Sequence, residues 1–213
     1  MRIRAALFDL DGVVFDTEPQ YTVFWGTICK EYHPEEVGLE HRIKGQTLTR
    51  IFDTLFPGQV EAQARVTERL NEFERNMRLD YVPGFVDFVN DLRAHGVRRA
   101  VVTSSNREKM RVVYEKCPEF PLYFDRVLTS EDFARSKPDP DCYLKGAEVF
   151  GVSPRECAGF EDSFNGLRAV RASGAYTVGL ATTNGREEIA PLADRVIDDF
   201  RGLTLKRLEE QMG

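Results

Sequence analysis

The chain has 213 residues, 42% of them hydrophobic, enough for one sizeable core with or without a small accessory domain. Charged residues make up 30% and the formal net charge is −6, with no polybasic run, which sets aside nucleic acids and membrane surfaces as partners. Cys29, Cys117, Cys142 and Cys157 are scattered without a C-x-x-C pair, so neither a zinc ribbon nor a redox dithiol is expected. No run approaches the roughly 18 apolar residues of a membrane helix, and the N-terminal apolar stretch is broken by Asp9 and Asp11, unlike a signal peptide. The expectation is a cytoplasmic protein with reduced thiols.

Residues 3–8 form a short apolar run that stops at Asp9 and Asp11, the pattern of a buried strand. Residues 17–82 then hold long helical patterns and no convincing strand; Leu48, Ile51, Phe52, Leu55 and Phe56 make one apolar face, and 58–78 is charged and helix-prone. This stretch is too long for one crossover between parallel strands, so it reads as a helical insertion after the first strand rather than as helices covering a sheet face. Phe85, Phe88, Val89 and Leu92 keep helical spacing between Pro83 and Gly96. Short strands are expected at 99–102, 126–128, 157–160, 175–180 and 195–197, alternating with helices. The fold class is therefore α/β: a doubly wound, mostly parallel sheet built from 1–16 and 83–213, with an all-helical domain at 17–82.

In such sheets the site lies outside the carboxyl ends of the strands. Four polar clusters fall there: Asp9 with Asp11, Thr103 to Asn106, Lys137, and Glu161 with Asp162. Their meeting would crowd at least three carboxylates into one cleft, which is costly unless a cation compensates them. Oxygen ligands with no His or Cys nearby select a hard ion such as Mg²⁺. A lysine and a hydroxyl at the same rim suit a phosphate, and together these are the parts of phosphoryl transfer. If the strand persists through Asp11, Asp9 and Asp11 share a face, and Gly12 permits the turn away. Asp9 could then attack phosphorus while Asp11 handles the proton.

The stretch Asp9-Leu10-Asp11-Gly12-Val13-Val14-Phe15-Asp16-Thr17 resembles the first motif of the haloacid dehalogenase superfamily. Val102-Thr103-Ser104-Ser105-Asn106 resembles the second, Lys137-Pro138-Asp139-Pro140 the third, and Gly159-Phe160-Glu161-Asp162-Ser163 with Gly166 the fourth. The resemblance implies Asp9 as nucleophile and Asp11 as general acid/base. It implies Mg²⁺ held by the side chains of Asp9 and Asp162 and the backbone carbonyl of Asp11, with Glu161 supporting the ion directly or through water. Thr103, Lys137 and the backbone amide of Ser104 would hold the phosphoryl oxygens. The inserted helices resemble the cap of the β-phosphoglucomutase-like branch, in which a cap loop reaches the substrate; Lys44-Gly45-Gln46-Thr47 stands where that loop is expected. The same four residues also suit an ordinary helix start with Thr47 as N-cap. Tyr21 and Trp25 either line the cap side of the cleft or belong to the core of the first cap helix.

Two departures bear on activity. Where the mutases of this branch carry a cap histidine this chain has Tyr21, and where their G-x-x-R motif ends in arginine it has Leu48, with Arg50 two places later. No cap lysine stands near 71–74. The resemblance thus implies hydrolysis of a small phosphorylated metabolite, a sugar phosphate being the model case, by a monomer. The alternatives are a phosphohexomutase, a non-catalytic ligand-binding module that would be expected to lack Asp9, Asp11 or Asp162, and a metal-free dehalogenase, which gains nothing from Glu161 and Asp162. No Cys-x₅-Arg, P-loop or G-x-S-x-G pattern occurs, and His33, His41 and His95 lie far in sequence from every cluster.

Overall fold

The computed structural model describes residues 2–210 and 212. The first strand, β1 (Ala5–Phe8), is buried at every position, as a strand covered on both faces must be. The helices α1 (Glu18–Tyr32), α2 (Leu39–Arg42), α3 (Leu48–Leu55) and α4 (Val60–Asn76) follow without an intervening strand. Then come α5 (Phe85–Ala94), β2 (Arg98–Val102), α6 (Arg107–Lys116), β3 (Arg126–Leu128), α7 (Asp141–Glu148), β4 (Cys157–Glu161), α8 (Phe164–Ser173), β5 (Tyr176–Leu180), α9 (Arg186–Ile189), β6 (Arg195–Ile197) and α10 (Leu205–Glu209). The six strands pair in parallel in the order β3-β2-β1-β4-β5-β6. All six occur where the apolar runs place them. The order reverses between β1 and β4, the switch point at which a doubly wound sheet opens its crevice.

Side chains alternate across β1 with the period of a strand. Ala6 and Phe8 join a cluster with Phe85 and Phe88 of α5, Met110 of α6 and Leu208 of α10. Ala5 and Leu7 face Tyr143 and Ala147 of α7 and Val170 of α8. The first cluster is aromatic: Phe8 stacks on Phe160 at 4.6 Å between ring centroids and meets Phe85 edge-on at 5.7 Å.

The helices α1 to α4 have a separate core, containing Trp25, Ile28, Ile51, Phe56, Val66 and Leu70. On α4 the buried stripe runs Ala62, Val66, Leu70 and Glu74 at i, i+4 spacing, so a carboxyl occupies a core-facing position. The chain leaves the sheet and returns to it as two joined segments. Asp16 N donates to the Asp80 carbonyl at 2.8 Å, and Val82 N to the Val14 carbonyl at 2.9 Å. α4 packs against α6, and Lys116 Nζ donates to the Met77 carbonyl at 2.7 Å.

Candidate active site

Asp9 is the first residue after β1, and its backbone N still donates to the Phe160 carbonyl of β4 at 3.0 Å. The ladder ends there. The expectation that the strand runs on through Asp11 is corrected: Val14 N and Phe15 N both return to the Leu10 carbonyl, Gly12 N donates to Phe15 O at 2.7 Å, and Gly12 takes φ +75°. A compact turn, not strand alternation, brings Asp11 beside Asp9 at the wall of one cavity. A side chain at Gly12 would also drive into the Asp162 carboxylate and Glu18.

Asp9, Glu161 and Asp162 converge from the ends of β1 and β4, offering oxygen atoms that all lie within 4.8 Å of one another. Lys137 is completely buried, with Nζ 2.7 Å from Asp9 Oδ1, 2.6 Å from Glu161 Oε1 and 3.2 Å from the Val102 carbonyl. Glu161 Oε1 also accepts from Tyr143 OH at 2.7 Å, while Oε2 lies 3.3 Å from the donors Ser163 Oγ and Asp162 N. Gly166, in the first turn of α8, leaves the space this carboxylate fills; a Cβ there would land on all three atoms of the Glu161 carboxyl group. Asp162 accepts from the Thr183 hydroxyl, and its carbonyl accepts from Asn184 Nδ2 at 2.9 Å.

One ammonium does not compensate three buried carboxyls. Burial pushes the Asp9 carboxyl up to about 7, against the pull of Lys137 and with added repulsion from Glu161 and Asp11. Burial, then Glu18, Glu161 and Asp9, hold Asp162 well above the carboxylate range. Burial alone would lower the Lys137 pKa, but Asp9 and Glu161 outweigh it and push it up. The carboxyl cluster is short of positive charge and supplies only oxygen donors, which fits a hard divalent cation. One cysteine does lie close, contrary to the sequence reading. Cys142, in the first turn of α7, sits near enough to feel Lys137 and Glu161; burial pushes its thiol up to about 12, so it stays protonated and offers no thiolate.

Asp11 is held by three donors. Thr17 Oγ1 donates to Oδ1 at 2.5 Å, Ser105 Oγ to Oδ2 at 3.2 Å, and the Lys109 ammonium pairs with Oδ2. Asn106 caps α6 by accepting from Lys109 N at 2.9 Å, and this sets the lysine in the first turn, 2% exposed. Its Nζ lies 4.6 Å from the centroid of the Tyr21 ring. Tyr21 OH in turn donates to Glu74 Oε1 at 2.7 Å. Burial raises the Glu74 carboxyl, with Lys109 opposing.

The cavity, of about 1050 Å³, lies between the sheet edge and the inserted helices. Asp9, Asp11, Thr103, Ser104, Tyr21, Trp25, Lys44, Gly45, Gln46, Thr47 and Arg50 all reach its wall. Lys137, Glu161 and Asp162 are buried and off that wall. The loop before α3 has the helix-start geometry and also lines the cavity. Thr47 caps α3, accepting from Arg50 N at 3.3 Å, and the loop also closes over the sheet edge. Ser104 Oγ donates to the Gly45 carbonyl at 2.8 Å, Thr47 N to Ser136 Oγ at 3.0 Å, and Asn165 Nδ2 to the Lys44 carbonyl at 2.9 Å. Ser104 therefore bridges to the helical region through its hydroxyl. Lys44 pairs with Glu18 at 2.8 Å, largely shielded from solvent. Tyr21 is both a wall residue and part of the helical core.

Fold and site define an α/β enzyme with an acidic, oxygen-donor centre at the switch point of its sheet. The family model described as haloacid dehalogenase-like hydrolase matches residues 3–174. Beta-phosphoglucomutase of Bacillus subtilis (strain 168) is 25% identical over 227 residues, covering 98% of this chain and 95% of that protein. Hexitol phosphatase A of Escherichia coli (strain K12) is 30% identical over 188 residues, covering 84% and 83%. The crystal structure of a HAD hydrolase, family IA, variant 3, from Entamoeba histolytica HM-1:IMSS superposes with a TM-score of 0.83 at 21% identity, over 100% of this chain and 99% of that one. The chain belongs to the haloacid dehalogenase-like hydrolases and is an enzyme of that family.

Proposed function

We propose that this enzyme is a Mg²⁺-dependent phosphatase that hydrolyses a small phosphorylated metabolite, a sugar phosphate in particular, through an aspartyl phosphate on Asp9. The observation that carries the reading is the convergence of Asp9, Glu161 and Asp162 oxygens within 4.8 Å of one another, with Lys137 paired to Asp9 and Glu161. Kinship with a hexitol phosphatase supports the sugar-phosphate class.

The side chains of Asp9 and Asp162 and the main-chain carbonyl of Asp11 would hold the ion, with Glu161 behind them. When bound, Mg²⁺ neutralises phosphoryl oxygens and the clustered carboxylates. Lys137 fixes the rotation of the Asp9 carboxylate through Oδ1. Asp9 attacks phosphorus and breaks the bond to the leaving oxygen, and Asp11 gives that oxygen its proton. Asp11 then takes a proton from water, which attacks the same phosphorus and releases phosphate and Asp9. Thr103 and the backbone amide of Ser104 hold phosphoryl oxygens from the cavity wall; Lys137, off that wall, acts chiefly through Asp9. Residues 17–82 serve as the cap that excludes bulk water while the ester is bound. The enzyme acts as a cytoplasmic monomer.

A mutase must hold a second phosphate. In this cavity Lys44 is paired with Glu18 and Arg135 with Asp139, so among the described residues Arg50 is the one wall cation without a carboxylate partner. Together with Leu48 at the mutase arginine position, this favours hydrolysis of a monophosphate. A screen of phosphorylated metabolites read by phosphate release tests the reading. Asp9→Asn should abolish release with an unchanged far-ultraviolet circular dichroism spectrum. Wild-type turnover in that variant, or an isomer formed in place of phosphate, would refute it.

A further inference from the structure

The ion pair between Lys109 and Asp11 lies where core and helical insertion meet. Lys109 comes from α6 of the core, and Asp11 from the turn after β1. Tyr21 comes from α1 and Glu74 from α4, both in the insertion. The four form one chain: carboxylate, ammonium, ring face, then phenol to carboxyl. A lysine buried this deeply needs a carboxylate or a ring face, and Lys109 has both. Lys109 is not on the cavity wall, so it acts on a substrate only through Asp11.

We propose that Lys109 is a positioning residue that sets the Asp11 carboxylate for proton transfer and ties that setting to closure of the helical insertion through the face of Tyr21. The inference rests on the reading of Asp11 as general acid/base. With Lys109 in place, rotation of Asp11 is confined by donors on both oxygens, Thr17 on one and Ser105 with Lys109 on the other. Without it, Oδ2 keeps only the 3.2 Å contact to Ser105. Moving the insertion away from the sheet would take the Tyr21 ring off the ammonium, so the pair is best held when the cavity is closed.

The test separates positioning for proton transfer from a merely structural role. An alkyl ester needs a proton on its leaving oxygen, whereas p-nitrophenolate leaves without one. Phosphate release from a hexitol monophosphate and from p-nitrophenyl phosphate should therefore respond differently in kcat/KM, which reports steps up to departure of the leaving group. Lys109→Met should lower kcat/KM on the hexitol ester by about 10-fold or more, within the roughly 100-fold or larger contribution of general acid catalysis, and on the aryl ester by less than about 3-fold. Lys109→Arg, which keeps the cation, should restore part of the alkyl activity. Tyr21→Leu should shift the same alkyl-to-aryl ratio in the same direction, and shift it little further when added to Lys109→Met. This second variant keeps the inference open to refutation should Lys109→Met fold poorly. Equal losses on both esters, or no loss on either, overturn the positioning role and leave the phosphatase reading standing. A wild-type enzyme that releases phosphate from neither ester overturns both.

Discussion

Replacing Lys137 by methionine removes the one ammonium that serves two buried carboxylates while nearly preserving the side chain's length. Lys137 is fully buried, Glu161 is fully buried, and the Asp9 side chain is 10% exposed, so water can reach almost none of what is left unpaired. Breaking a buried ion pair costs about 3–5 kcal/mol, and a lysine shared by two carboxylates belongs at the upper part of that range. Protonation relieves some of it, because the Asp9 carboxyl already sits at about 7 and rises further without its partner. The expected loss at pH 8 in excess chelator is about 4 kcal/mol, or roughly 10 °C in Tm for a chain of this size. Urea unfolding followed by circular dichroism, with an unchanged m-value, measures it. In saturating Mg²⁺ the loss should shrink by about 1 kcal/mol or more, since the carboxylates freed of the Lys137 cation bind the ion more tightly in the variant than in wild type. Adding Glu161→Gln should recover part of the loss non-additively, because the amide no longer strands a charge. A loss below about 1 kcal/mol in chelator would show that the buried carboxyls do not depend on Lys137, and the electrostatic account of the site would have to be withdrawn.

Four further outcomes are expected. Removing Mg²⁺ should stop phosphate release reversibly, with no restoration by Ca²⁺; full activity in excess chelator would point to a metal-free site. In metal-free protein the raised Asp9 pKa stabilises the fold below the unfolded value near 3.8, and that stability is lost as pH rises through about 7, so the urea midpoint of wild type relative to Asp9→Asn should fall between pH 4 and 7. Mg²⁺ binding measured by calorimetry should strengthen over the same interval, as protons leave the ligands; a pH-independent affinity contradicts this. Gly166→Ala should destabilise by about 1–3 kcal/mol through overpacking against the Glu161 carboxyl, although glycine to alanine within a helix ordinarily stabilises by about 0.5–1 kcal/mol. A stabilised variant would mean that Glu161 is not held against α8.

The fold was legible because strands covered on both faces are continuous apolar runs, and β1 and β4 show them plainly. The acids were legible because topology sends strand ends to one edge, which makes Asp9 and Asp162 neighbours although 153 positions separate them. What could not be read is which partner each charge takes. Lys109 follows the Thr103–Asn106 cluster, but its pairing with Asp11 depends on how α6 is capped and how the turn after β1 closes. Glu74 occupies the i+4 stripe of α4, where an apolar residue is the rule; that mismatch was visible, yet its partner Tyr21 lies 53 positions away on another helix. Tyr143 reads as an ordinary apolar position of α7, and only the packing of that helix against β1 and β2 brings its hydroxyl to Glu161. The turn that replaces the expected extension of β1 follows from hydrogen bonds to Leu10, which periodicity does not encode.

Charge balance gives a reason for a divalent ion that is independent of family kinship. Asp9, Glu161 and Asp162 bring three negative charges when ionised, and Lys137 returns one, leaving a deficit of two positive charges in a buried volume. Asp11 and Glu18 are each paired with a lysine, Lys109 and Lys44, yet still add repulsion to Asp9 and Asp162 respectively, so neither offsets the deficit. A monovalent ion would leave one carboxylate uncompensated, and burial and mutual repulsion, which raise Asp9 and Asp162, would then favour proton uptake, leaving the proposed reaction without its ionised nucleophile. A divalent ion closes the balance with Asp9 ionised, the form that the proposed attack on phosphorus requires. The deficit lies at the Asp9, Glu161 and Asp162 cluster, beside the cavity in which the proposed reaction would place the phosphoryl group.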